Sequence, residues 1–150
     1  MLKVEYDLQP DLELMIVRFE FDERPWTVNA ERAGNRWQRA TNTKHWREAF
    51  AQFDPPYVLT DATVEVTLEL KGRLQDTAAC MPAVKAAIDG MVDANLFLDD
   101  TGDHVRSIIF NAPLRAKQNK IMFTVIGRKN GSRSNVSSVD GAREISRKNK

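Results

Sequence analysis

The sequence predicts a single α+β domain in which two helices pack on one face of a small mixed or antiparallel sheet, followed by a basic, flexible C-terminal tail. Three observations predict it. Apolar and polar residues alternate almost strictly over residues 62–70, and two other stretches carry apolar residues at helical spacing. The resulting order is strand, helix, strand, helix, strand, strand along 150 residues, a length suited to one core.

Residues 13–21, ELMIVRFEF, favour β structure and end in the turn-like Asp22, Glu23, Arg24 and Pro25, which predicts the first strand. A polar, basic stretch follows. From Thr43 onward, Trp46, Ala49, Phe50 and Phe53 fall at i, i+3, i+4 and i+7 behind a Thr/Asn-rich start able to cap free amides. This predicts an amphipathic helix that ends before Pro55 and Pro56. Over residues 62–70, Val64, Val66, Leu68 and Leu70 alternate with Glu65, Thr67 and Glu69, a strand with one buried and one wet face.

Pro82 opens the second helix at a position where its missing N–H costs nothing. Val84, Ile88, Met91 and Val92 form its apolar stripe, and Lys85, Asp89 and Asp93 lie roughly on another face. The short segment Asn95, Leu96, Phe97, Leu98 then delivers Asp99 and Asp100 into a turn that ends at Asp103. Two strands, at 104–110 and 120–126, are joined by a basic loop containing Pro113, Arg115, Lys117 and Lys120. The domain spans residues 1–127 and the tail residues 128–150; the outline is similar to ferredoxin-like folds, and fold class alone assigns no activity.

Apolar residues make up 42% and charged residues 29% of the chain, a globular mixture. The formal charge of +1 is unevenly spread: residues 128–150 hold seven basic residues against Asp140 and Glu144, a net +5 that leaves −4 on residues 1–127. A second basic patch, Arg24, Arg32, Arg36, Arg39, Lys44 and Arg47, faces only Glu31 in sequence. Such patches suit a polyanion, because Lys and Arg at phosphates release condensed counterions. A solvated face and a frayed tail would look the same.

One cysteine, Cys80, forms no internal disulfide and no Cys-based zinc site, which fits a reducing cytoplasm. The first residues lack the apolar core of a signal peptide and no long apolar run is present, so neither export nor a membrane is expected. Phosphate-loop, dinucleotide-binding and nucleophile-elbow patterns are absent, and an organic cofactor is not expected. Two histidines and one cysteine also leave little material for a zinc hydrolase or a Cys protease.

What remains is a group of carboxylates around the second helix: Asp76 before it, Asp89 and Asp93 on it, and Asp99, Asp100 and Asp103 after it. They could converge if the chain reverses there. Oxygen ligands of this kind hold Mg²⁺ or Mn²⁺, which polarise a phosphodiester and activate water, and Lys85 would stabilise the charge that develops. The same residues also serve as ordinary helix caps and solvated side chains. Asp89 would orient Lys85 by i,i+4 pairing, Asp93 is given no role, and His104 is either a proton carrier or a structural histidine opening a strand.

The stretch 85–100, KAAIDGMVDANLFLDD, resembles the signature of the RusA-type Holliday junction resolvases, in which Lys-Ala-x-x-Asp leads through a helix and a hydrophobic turn to Asp-Asp. Upstream, residues 76–85, DTAACMPAVK, resemble the longer motif variant of actinobacterial phages and prophages. Pro25, Trp26, Asn29, Glu31 and Arg32, with Trp37, Arg39, Thr43, Trp46, Arg47 and Phe50, are similar to the family's N-terminal block. The resemblance covers about residues 13–126 and implies a Mg²⁺-dependent (or Mn²⁺-dependent) endodeoxyribonuclease for branched DNA in recombination and repair, working as a homodimer in the cytoplasm of a bacterial host, with phage or prophage origin.

By that resemblance Asp76 and Asp100 are metal-binding and catalytic aspartates, Asp99 is the adjacent member of the metal pair, and Lys85 is the essential lysine. The family's second early aspartate falls near Ala78 and its asparagine near Ala79, a departure that makes a catalytically lapsed, junction-binding relative the alternative. DNA contacts are expected from Arg32, Arg36, Trp37, Arg39, Lys44 and Arg47, cations for phosphates and an indole for unpaired bases near a branch point. Trp46 lies on the helix's apolar stripe and is expected to be buried; Trp37 lies off it.

Overall fold

A computed structural model describes residues 1–8 and 13–132. Its elements run β1 (Leu2–Leu8), β2 (Leu14–Phe21), α1 (Val28–Ala33), α2 (Arg36–Phe50), β3 (Tyr57–Leu70), α3 (Met81–Asp93), β4 (Val105–Phe110), β5 (Leu114–Arg115) and β6 (Lys120–Ser132). The sheet order is β1-β2-β6-β3-β4, with β5 also beside β3. β4 and β5 pair with β3 in parallel and the other pairs are antiparallel, so the expected α+β class with a mixed sheet is what forms.

One face of the sheet is dry. Met15, Val17, Phe19 and Phe21 of β2, Val64, Val66, Leu68 and Leu70 of β3, and Ile121, Phe123 and Val125 of β6 are buried beneath α2 and α3. Successive strand side chains point to opposite sheet faces, so the intervening Arg18, Glu65 and Thr124 sit on the uncovered side. An aromatic cluster locks α2 to this core: Phe50 packs against Phe19, Phe21 and Phe123 at ring separations of 5.7, 5.3 and 5.2 Å, and Trp46 meets Phe21 at 5.0 Å.

Several elements differ from the expectation. β1 adds an edge strand whose signal is the alternation of Leu2, Val4 and Tyr6 with Lys3, Glu5 and Asp7. The stretch read as merely polar and basic contains α1 and the first half of α2, so the described residues form three helices where two were expected. The cap of α2 is Asn35, whose side chain accepts the Gln38 N–H at 2.8 Å. Thr41, inside this helix, donates its hydroxyl to the Trp37 carbonyl one turn back.

β3 begins at Tyr57, earlier than residue 62, and β6 continues past Ile126 to Ser132 because its residues 128–132 pair with the start of β3. Residues 128–132 thus belong to the sheet and not to a tail; the remainder of the expected tail, 133–150, lies outside the described residues. Among the described residues no helix is long and apolar enough to cross a membrane.

Candidate active site

The chain reverses after α3, and the device that reverses it is local. Asn95 adopts φ 66°, the left-handed conformation that Asn tolerates better than any other residue except Gly. Its N–H reaches the Val92 carbonyl at 2.9 Å, and the N–H of Leu96 reaches the Met91 carbonyl at 3.0 Å, the paired bonds of a Schellman motif. Leu96 and Phe97 then bury completely, and Leu59 donates its N–H to the Leu96 carbonyl at 2.7 Å. Further along, the N–H groups of Asp61 and Ala62 hold the carbonyls of Asp103 and His104 at 3.0 and 2.9 Å. The acidic turn between these anchors is pinned to β3 at both ends.

This return path brings Asp100 against Lys85. The Lys85 ammonium donates to Asp100 Oδ2 and, at 2.7 Å, to Asp89 Oδ1, so it bridges the helix and the turn. Asp99 Oδ1 accepts the N–H of Asp100 at 2.8 Å, which fixes the backbone of the acidic pair. Partial burial lowers the Lys85 pKa, but the hydrogen bonds and charges of Asp100 and Asp89 outweigh it and the net shift is upward. The hydrogen bond from Lys85 draws the Asp100 carboxyl below the usual range, its charge and the Asp99 contact add to this, and partial burial opposes it. At neutral pH Lys85 and Asp100 are therefore both charged.

Lys85, Asp89 and Asp93 repeat every four residues along the wet stripe of α3. Asp93, expected to have no role, clasps Arg47 of α2 in two hydrogen bonds, Nε to Oδ2 at 2.7 Å and Nη2 to Oδ1 at 3.0 Å. Arg47, read as a DNA contact, therefore spends its guanidinium on joining α2 to α3. The two helices approach closely at Gly90, where a Cβ would sit 2.4 Å from the Arg47 carbonyl oxygen and 2.8 Å from the Phe50 Cβ.

Asp76 precedes α3 in the chain. It lies exposed in the turn before α3, where its carbonyl accepts the Ala79 N–H at 3.0 Å. Within that turn Ala78 holds φ 68°, a left-handed conformation that strains any residue with a Cβ except Asn and Asp to a lesser degree. The Ala79 carbonyl accepts the Val28 N–H at 2.9 Å and ties the turn to α1. Among the described residues no three His, Cys, Asp or Glu side chains come together as a metal-holding group.

Other candidates resolve simply. His104 is buried where β4 begins, its Nδ1 3.5 Å from the Thr60 hydroxyl, the position of a structural histidine. Cys80 is buried and burial pushes its thiol up to about 11, which removes it as a nucleophile. Arg24 donates to the carbonyls of Lys71 and Arg73 at 3.2 and 2.6 Å and so braces the loop before α3. Arg32, Arg36, Trp37, Arg39 and Lys44 are exposed on α1 and the first half of α2.

What sequence reasoning missed is the pair of backbone devices, Asn95 and Gly90, and the cross-helix clasp. An Asn just past an amphipathic helix and a Gly inside one were the available signals. No protein-family model matches the sequence, and no curated protein matches it.

Proposed function

We propose that the chain is a Mg²⁺-dependent, structure-selective endodeoxyribonuclease of the RusA type that resolves four-way junctions and related branched DNA. The observation that carries this reading is the Lys85–Asp100 pair, two residues fifteen positions apart that the reversal at Asn95 brings into contact on a wet helix face. Adjacent hard-oxygen donors on Asp99 and Asp100 fit Mg²⁺, which is commonly held by one or two carboxylates while it keeps several waters. Asp76 is the expected further ligand, from the turn that precedes the same helix.

When bound, the divalent ion would polarise the phosphodiester and lower the pKa of the attacking water. Water adds to phosphorus, one P–O bond of the backbone breaks, and the departing oxygen takes up a proton. Lys85, held charged by its two carboxylates, stabilises negative charge on the phosphoryl oxygens. Asp89 holds the Lys85 ammonium from the helix side, and would go on orienting it if Asp100 were to hold the ion. The exposed cations of α1 and α2 supply phosphate contacts, and a two-fold homodimer would match two symmetry-related strands of a junction. The setting is a bacterial cytoplasm, with a phage or prophage source.

A second reading is favoured by a specific observation: Asp100 is neutralised by Lys85, and no three-ligand cluster exists among the described residues. On that reading the chain binds branched DNA without cutting it. The deciding experiment incubates a labelled synthetic four-way junction with the protein in Mg²⁺, Mn²⁺ or EDTA, beside Asp100→Asn and Lys85→Ala. Paired metal-dependent nicks that both variants lose support the nuclease; tight binding with no nicks under any divalent ion supports the lapsed relative. Indifference to the junction rejects both.

A further inference from the structure

In the arm made of α1 and the first half of α2, α1 has no buried residue, and neither does α2 from Arg36 to His45, where Asn42 and Thr43 are half-buried and the His45 ring lies 6.1 Å from that of Phe21. At its tip Trp37 is 74% exposed, the one aromatic among the exposed large apolar side chains of the described residues. Its helical neighbours Ala40 and Thr41, three and four positions on, are small, which leaves the indole open on that side. The Arg36 guanidinium stands 5.5 Å from the ring centroid.

Charge completes the pattern. Arg32, Arg36 and Arg39 make no ion pair among the described residues, and Lys44 reaches Glu48 only at 3.9 Å with both side chains mostly in water. Pairs of that kind hold little energy and yield readily to a competing anion. Arg36, Trp37 and Lys44 share one face of the helix, at spacings of one, seven and eight residues.

We propose that this arm binds a single-stranded segment of nucleic acid, with Trp37 stacked on an unpaired base and Arg36 and Lys44, on the same helix face, on the flanking phosphates. One aromatic platform among exposed cations is what such recognition needs, since every base offers a π-face and the backbone offers regular charge. A lipid surface would need a continuous apolar face, and here the indole is flanked by alanine, threonine and glycine. The proposal rests on the nucleic-acid reading above and not on cleavage.

The test titrates the full chain in EDTA with a labelled oligothymidine of about 12 nucleotides, a length within the usual single-strand site size. Tryptophan emission and the anisotropy of the label are followed across a salt series. Stacking predicts quenching that vanishes in Trp37→Ala, affinity roughly 5- to 150-fold weaker in that variant, and affinity largely kept in Trp37→Phe. Arg36→Ala and Lys44→Ala should each flatten the salt slope by about 0.7. Trp37→Ala binding as tightly as the parent overturns the proposal, as does failure to bind the oligonucleotide. A blue shift with phosphatidylglycerol vesicles and none with DNA overturns it in favour of a lipid surface. Single-strand binding through Trp37 with no junction cleavage would remove the nuclease and leave the arm; cleavage by a protein indifferent to the oligonucleotide would do the reverse.

Discussion

Helix α3 buries seven of its thirteen residues, whereas α2 buries two of fifteen, Trp46 and Phe50, both in its last turn and a half. The difference separates two jobs. α3 is a core element whose one wet stripe, Lys85, Asp89 and Asp93, is held rigid by everything behind it. α2 is anchored at one end by an aromatic cluster and an ion-pair clasp, and projects its other end, with its cations and Trp37, into solvent. A rigid face suits chemistry that needs fixed geometry, and a projecting one suits capture of a large ligand.

If the anchor is the aromatic end, breaking it should give the largest effect. Phe50→Ala should cost about 4 kcal/mol in urea unfolding, since it empties a site ringed by Phe19, Phe21, Trp46 and Phe123. Trp37→Ala, in the same helix, should change stability by less than about 0.5 kcal/mol. Equal losses at the two positions would refute the division of α2.

The close approach at Gly90 comes next. Gly90→Ala must push apart the helices at the Arg47 carbonyl and should lower stability by about 3 kcal/mol despite the better helix propensity of Ala. Thermal unfolding that leaves this variant unchanged would mean that α2 shifts freely over α3. Smaller again, and of opposite sign, Ala78→Gly should raise stability by about 1 kcal/mol by relieving the left-handed backbone at φ 68°.

The smallest effect tests the charged stripe of α3. Asp100 has a lowered pKa, so its contribution is present above the unfolded value of about 3.9 and fades as pH falls through the folded value. Lys85 has a raised pKa, so its share is present below about 10.4 and fades as pH rises through the folded value. The stability gap between the parent and Asp100→Asn should be flat from about pH 5 to 9 and shrink in stronger acid. A gap that grows on acidification would show that the pair does not form in solution.

The strand at 62–70, the buried stripe of α3 and the burial of Trp46 were legible in the sequence because each is written in side-chain periodicity within a few residues. The start of α2 was misread because its first turns face water, and a helix with no buried face has no apolar period to detect. The alternation in β1 was present, but its place as an edge strand depends on antiparallel pairing with β2.

The candidate site divides the same way. Lys85, Asp99 and Asp100 stood out in the sequence by type and spacing, and Lys85 with Asp89 needed only the helical repeat. The contact of Lys85 with Asp100 and the clasp of Arg47 on Asp93 were settled by tertiary structure alone. Periodicity is a property of neighbours along the chain, whereas these contacts depend on one left-handed residue, Asn95, that turns the chain back, and one missing Cβ, at Gly90, that lets α2 approach α3.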